Sequence, residues 1–364
     1  MPEPGTFARL EVTPKELVFK KTGESVQLRV LAHWVDGTVE DVTGSTRFRT
    51  NDKSVAEVHE GGLVVSMSKG DTHIVAFYDN GVAPVLVILP RTDKAGANYP
   101  AVATKNKLDQ LVVDKLRKLG VVPSGICTDE VFLRRASLDI TGTLPLASEV
   151  RAFLADKNPN KRAKKIDELL ERPGYAAWWA TKLCDYTGNN ASNLLDRQYA
   201  NQMSRQWYDW IFHRLKTNEP YDNIVEGMVM ATGRTSDDQG YLEFAKEMSS
   251  YYREDNPADF AHRPNLPQFW ARRNIAEPKA KAQSFAHAFL GVRIQCAECH
   301  KHPFDQWTQQ DYEQFQGFFA TIKFGNRVVK GEKMNYQTLL AKIRKDAGIA
   351  PVRGQQRALP ANSI

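Results

Sequence analysis

Several things are scarce in this chain. No apolar run is long enough to cross a bilayer as a helix, so no membrane span is expected. No basic stripe runs along it, and the formal charge of +6 comes from 49 basic against 43 acidic residues. A solvated surface accounts for that small excess, and nucleic acid is not an expected partner. No secretory leader is visible, and Met1-Pro2-Glu3-Pro4 reads like a start that follows a removed one. Cysteine is scarcest: four in 364 residues, two of them in one short stretch. The other two, Cys127 and Cys184, lie on separate predicted segments. A disulfide between them is possible, and buried free thiols are the blander reading. The length suggests two domains, and the overall composition is that of a soluble globular protein.

The stretch with two cysteines is Gln295-Cys296-Ala297-Glu298-Cys299-His300-Lys301-His302-Pro303-Phe304-Asp305-Gln306-Trp307. Its core, Cys296-x-x-Cys299-His300, is the attachment pattern for c-type haem. Two thiols add to two vinyl groups on one porphyrin edge, and a helical turn between them is about 5 Å along the axis. His300 then supplies the proximal imidazole. A zinc cage from Cys296, Cys299, His300 and His302 is the first alternative. Structural zinc sites, however, usually take their second ligand pair from a distant segment, and Pro303 stiffens this one. A plain dithiol is the second alternative, but the upstream sequence predicts a helix and not the strand–turn–helix of a thioredoxin. For the sixth iron position the candidates are His213, His262, His287, His302, Met228, Met230 and Met248. A structural role is the default for each, and His302 is too close to His300 to reach the opposite face. His302 and Trp307 are expected beside the ligand, not on the iron.

Residues 6–90 predict an all-β domain. Val26, Leu28, Val30, Ala32 and Trp34 alternate, which predicts one half-buried strand over Ser25–Trp34. Asp36-Gly37 and Asn80-Gly81 are hairpin signals. Short strands between turn residues suggest a β-sandwich. Among these strands His33, His59 and His73 read as ordinary strand residues. A linker follows at 91–103. Helices are predicted next. One carries the stripe Leu108, Leu111, Val112, Lys115, Leu116, Leu119 and stops at Gly120. Another starts near Val131 with Asp129 as its N-cap. Further helices are predicted over 146–154, 161–170 (ended by Pro173-Gly174), 175–186 and 197–215. Trp178, Trp179, Trp207, Tyr208 and Trp210 are expected in the core or along a haem pocket. Residues 233–275 read as irregular, a length of loop that is often functional. Ala280–Val292 predicts a helix running into Cys296. Thr308 and Asp311 resemble a capping box at the start of a helix striped by Tyr312, Phe315 and Phe319.

Two resemblances follow from longer stretches. Leu10-Glu11-Val12-Thr13-Pro14, Gly23 to Leu28, Asp36 to Thr43 and Gly70 to Ala76 resemble, in order, the bacterial immunoglobulin-like fold, group two. That resemblance implies a spacer or adhesive unit on an exported protein. Phe132-Leu133-Arg134-Arg135-Ala136-Ser137-Leu138-Asp139-Ile140-Thr141-Gly142-Thr143-Leu144-Pro145 is similar to the opening signature of the planctomycete-type cytochrome c family. Phe289 to Trp307 is similar to its haem signature. This likeness covers about residues 104–325. It implies an exported, helical, haem-bearing domain, often preceded by the immunoglobulin-like module and often followed by another large domain. Lys301 departs from the acidic or amide residue usual there. No catalytic residue set carries over.

The expected architecture is therefore an N-terminal immunoglobulin-like sandwich (6–90), a linker (91–103) and a mainly α-helical haem-bearing domain (104–325). A tail, or the start of a missing domain, follows at 326–364. The expected function is that of an exported c-type cytochrome in the periplasm or at the cell surface. It would carry one covalent haem c on Cys296 and Cys299 with His300 as axial ligand. Its partner would be a redox protein or the missing C-terminal domain. Two alternatives stand beside it: a peroxidase-like haem enzyme with an open distal site, and a zinc-stabilised structural module.

Overall fold

The structure is a computed structural model. It describes residues 6–322, apart from 232, 236–238, 254–255 and 303–304, together with 337–339, 341–342 and 345. The chain forms two compact units. The first is Met1–Ile126 with Arg293–Phe315, and the second is Cys127–Val292 with Gln316–Ile364. The N-terminal region is all-β and residues 107–317 are mainly helical, as the periodicities predict.

In the first unit ten short strands form three sheets. β1 (Phe7–Thr13), β4 (Arg29–Trp34) and β5 (Val39–Asp41) make one. β2 (Glu16–Val18), β10 (Gly81–Leu89), β9 (Gly70–Tyr78) and β6 (Arg47–Thr50) make the second. β3 (Ser25–Gln27), β8 (Leu63–Ser66) and β7 (Ala56–Val58) make the third. The single strand expected over Ser25–Trp34 is in fact β3 and β4, which belong to different sheets. At the junction the Leu28 N–H donates to Gly62 O at 2.9 Å, in continuation of the β3–β8 register. The alternation survives the switch because all three sheets share one apolar cluster, in which Leu28, Val30, Ala32, Val64 and Ile74 are fully buried.

Both predicted hairpins form, one of them shifted. At Asp36-Gly37 the Asp36 carboxylate accepts from Thr38 N at 2.9 Å. The β9–β10 loop is Asp79-Asn80, one residue earlier than Asn80-Gly81 implies, with Asp79 at φ 50°. Gly81 begins β10 instead. A Cβ there would sit 2.5 Å from Phe7 Cζ, so close ring approach demands the glycine.

Helix α1 (Lys107–Leu119) also belongs to the first unit. Asn106 caps it, and Gly120 ends it as expected. Its carriers of attachment are charged: Lys115 reaches Asp71 at 2.6 Å and Lys118 reaches Glu16 at 2.8 Å. Of the predicted stripe, Leu108, Leu111 and Val112 are exposed.

The second unit holds α2 (Asp129–Thr141), α3 (Ala147–Ala155), α4 (Lys161–Leu170), α5 (Pro173–Thr187), α6 (Ala200–Lys216), α7 (Tyr221–Val229), α8 (Tyr241–Ser250) and α9 (Pro278–Phe285). The cap of α2 is Thr128, not Asp129, whose carboxylate instead pairs with Lys161 and Arg162 at 2.7 Å each. Pro173 opens α5, since proline at the first helical position gives up no needed hydrogen bond. On α6 Trp207, Trp210 and Ile211 are fully buried, so these tryptophans are core.

The stretch expected to be irregular, 233–275, contains α8 and much of the core. Leu266, Phe269 and Ala271 are fully buried. Three buried arginines hold it. Arg214 lies 3.4 Å from the centroid of the Trp210 ring and donates to Ala261 O and Arg263 O. Arg263 donates to Glu247 at 3.0 Å and to Gly233 O at 2.6 Å. Arg272 donates to Phe269 O and Ser284 Oγ. Here side-chain guanidinium groups satisfy loop carbonyls that a helix or sheet would satisfy elsewhere.

Candidate functional site

The helix expected over Ala280–Val292 begins at Pro278, turns into a π-helical stretch at Ala286–Leu290, and stops at Gly291. Its aromatic face is engaged inside the second unit. Phe289 lies 5.4 Å from both Phe269 and Phe285, and Phe285 lies 5.5 Å from Phe319. Aromatic packing is thus already the job of these rings.

After Gly291 the chain enters the first unit. Ile294–Glu298 is a 3₁₀ turn that buries Ile294 and Ala297. Cys296 and Cys299 are both exposed free thiols. Side chains three apart in 3₁₀ geometry lie one above the other, at about 6 Å along the axis. Cys296 lies within this turn and Cys299 caps its end, and both thiols are open to solvent. Next in line, His300 has Nδ1 2.7 Å from Lys301 O. That bond makes Nδ1 the protonated nitrogen and leaves the Nε2 lone pair free for a metal.

The loop behind His300 closes on itself. His302 N donates to Trp307 O at 2.8 Å. Pro303 and Phe304 lie outside the described residues. The capping box forms with Asp in place of Glu: Thr308 N and Oγ1 donate to the Asp311 carboxylate at 2.8 and 2.7 Å, and Asp311 N returns to Thr308 Oγ1 at 3.1 Å. The Thr308 backbone bond holds the Asp311 carboxyl below its ordinary value. This box starts α10 (Gln309–Gly317) and anchors the far end of the segment.

His300, Lys301 and His302 also line a cleft of about 870 Å³, whose other walls are residues 7–10 and 80–84, all in the first unit. That is within the size range of ligand pockets, about 300–1,000 Å³. Residues 7–10 and 80–84 belong to the predicted β-domain, and nothing in their own pattern sets them beside the motif. They lie more than two hundred residues from His300 in the chain, a separation that no local pattern spans.

The sixth-ligand candidates other than His302 lie elsewhere in the chain. His213, His262, His287, Met228, Met230 and Met248 all fall in the second unit, and none lines this cleft. His213 and His262 face each other with ring centroids 4.2 Å apart, and Asp259 Oδ2 is 2.8 Å from His262 Nδ1. Burial, then His262 and Arg214, push the His213 imidazole down. Met228 is core and Met230 is exposed. Cys127 and Cys184 are free as well. Burial pushes the Cys184 thiol up to about 11.

The donor set suits a covalently attached haem: two exposed thiols three positions apart, and an imidazole with one nitrogen already tied. It suits a zinc cage poorly. Among the described residues no three His, Cys, Asp or Glu side chains are gathered closely enough to hold a metal ion.

Residues 107–324 match the family model PSCyt2, described as a protein of unknown function (DUF1549). The chain belongs to the PSCyt2 family. The PSCyt2 name marks a planctomycete, cytochrome-related family, and the matched span contains both signatures noted above. No curated protein matches the chain. The opening signature has a clear structural meaning. It forms α2 and its end, where Thr141 Oγ1 donates to Ser137 O and Gly142 lies against the face of Trp178. Among the described residues no helix is long and apolar enough to cross a membrane.

Proposed function

We propose that this PSCyt2 chain is an exported c-type cytochrome domain that passes electrons to or from a redox partner. Cys296 and Cys299 hold one haem through thioether bonds, and His300 supplies an axial nitrogen. The observation that carries this reading is the pair of exposed thiols followed by an imidazole whose Nδ1 is bound to Lys301 O. When bound, haem supplies one-electron chemistry at a potential set by its axial ligands and burial. The Lys301 carbonyl orients the His300 ring and fixes its tautomer, as outer partners of metal-bound histidines do. His302 and Trp307 close the supporting loop and stay off the iron.

Attachment of haem to this motif takes place outside the cytoplasm in bacteria, which puts the protein in the periplasm or at the cell surface. The β-domain then serves as a spacer of the bacterial immunoglobulin-like type, supported by its short strands and shared apolar core. The partner is a separate redox protein or a further attached domain.

The test is intact mass after denaturation, with the full chain made in a host able to attach haem c. The mass should exceed that of the polypeptide by one haem. A bare-chain mass, with haem extractable into acid ketone, would overturn the proposal. The cleft beside His300 favours one second reading, a haem enzyme with an open distal side. Fast carbon monoxide binding by the ferrous protein would support it over simple electron transfer.

A further inference from the structure

The cleft beside His300 is walled on its far side by two segments of the β-domain, residues 7–10 and 80–84. Both come from strands with an open edge there. β1 pairs with β4 alone, and β10 meets β2 only over Leu86–Ile88. Among the described residues Gly81–Val85 therefore pair with β9 alone. An open edge ordinarily invites another strand. Here Pro84 removes a backbone donor, which argues against strand addition. The side chains depart from the usual pattern as well. Val85 and Val87 face the shared core and are buried, so Val82 and Pro84 take the outer face of β10. That face of an antiparallel sheet is commonly polar, yet these two are apolar and half-buried in the cleft wall.

β1 carries a second feature. Phe7 pairs with Trp34 and Arg9 with His33, so Ala8 is an extra residue, a bulge. The bulge lets Phe7 and Leu10, three apart, both pack against the core. Arg9 takes the outer face, where Glu11 at 2.8 Å and His33 at 3.2 Å hold its guanidinium. Those contacts use two of its five N–H donors. Lys301 stands on the opposite wall. Against these two cations the lining has one carboxylate, Asp305, which already accepts from Gln306 N at 2.7 Å. An apolar strip and an excess of positive charge thus lie beside the histidine that follows the two thiols.

We infer that β1 and β10 complete the haem site: Val82 and Pro84 cover porphyrin surface, and Arg9 offers its charge to a propionate carboxylate. This rests on the haem reading above, and it gives the β-domain a role beyond that of a spacer. Haem is a flat apolar ring with two carboxylates on one edge, and the wall presents the complement of both parts. A peptide strand would need the donor that Pro84 lacks.

The experiment uses the full chain, with and without haem, and intact mass first counts the haem. Amide hydrogen–deuterium exchange is then read on peptides covering the wall. Exchange at 7–10 and 80–84 should slow several-fold in the haem-loaded chain, while exchange over β6 and β7 stays the same. Midpoint potentials of loaded variants read the wall directly. Arg9→Gln and Val82→Glu should each lower the potential, because lost positive or added negative charge near the ring disfavours the incoming electron. Arg9→Lys should stay near the parent. Lys53→Gln is the control and should leave the potential unchanged. It follows β6, whose Thr50 pairs with Ile74, while the cleft lies at the other end of β9, where Tyr78 pairs with Gly81. Suppose the chain carries one haem, yet exchange at the wall is unchanged, or the potential ignores Arg9→Gln and Val82→Glu, or answers Lys53→Gln as strongly. Any of these overturns the inference and leaves the haem reading standing. A bare-chain mass overturns both.

Discussion

His300 and Lys301 are neighbours in sequence whose contact is the reverse of what charge would suggest: the imidazole meets the lysine's backbone carbonyl, Nδ1 to O at 2.7 Å. The lysine side chain is free to face solvent. A carbonyl acceptor fixes the tautomer without titrating, so the ring presents Nε2 at any pH where it is neutral.

The first prediction follows from that contact. With haem attached, His300→Ala should keep the covalent haem if maturation tolerates the change, but alter the ferrous absorption spectrum. His302→Ala should alter it far less, because His302 is engaged through its backbone to Trp307. Equal loss of metal in both variants would instead support zinc.

Thiol reactivity should separate Cys184 from the two cysteines of the motif. In chain made without haem, alkylation by iodoacetamide near pH 8 should label Cys296 and Cys299 rapidly. Cys184, buried and with its thiol pushed up to about 11, should react only after denaturation. Peptide mass spectrometry over time reads this directly. Rapid labelling of Cys184 in the folded chain would contradict its burial.

Gly142→Ala should be strongly destabilising. Gly142 ends α2 at φ 70°, a region L residues adopt at a cost, and an added Cβ would lie 2.6 Å from Trp178. Strain and overpacking together should lower stability by about 2–4 kcal/mol, read as a shift of the urea midpoint. A change below the error of the measurement would mean that the α2–Trp178 contact is not formed.

The Arg263–Glu247 pair should make stability sensitive to acid. Burial raises the Glu247 carboxyl, but hydrogen bonds from Gln239 and Arg263 outweigh it, and the net direction is below the ordinary 4.5. A carboxyl lowered in the folded state contributes stability above its unfolded value. That contribution is lost as pH falls from about 4.5 through the lower folded value. Glu247→Gln should flatten this part of the stability–pH curve. Arg263→Met should cost about 1–3 kcal/mol at neutral pH, since it removes the charged partner of the part-buried Glu247 carboxylate and a donor to Gly233 O. Denaturant titrations between pH 3 and 7 test both.

What the sequence by itself determined is local. The Cys296–His300 spacing, the Asp36-Gly37 turn, the stop of α1 at Gly120 and the Thr308–Asp311 box each depend on residues within a turn or two, and each is legible from residue type and period. Where a side chain had two local options, the reading slipped by one residue, as at Asp79-Asn80 and Thr128. Only the tertiary structure decided the rest. Ser25–Trp34 shows one alternating pattern whether it runs in one sheet or crosses between two, because both faces share the same core. Residues 233–275 were expected to be irregular, yet 266–272 are buried, because the side chains of Arg214, Arg263 and Arg272 supply hydrogen bonds that a regular element makes along its own backbone. Nor could spacing reveal that residues 7–10 and 80–84 wall the cleft at His300, or that Gln206 and Asp209 face residues 257–261 across another. Those juxtapositions join positions dozens to hundreds of residues apart, and only packing brings them together.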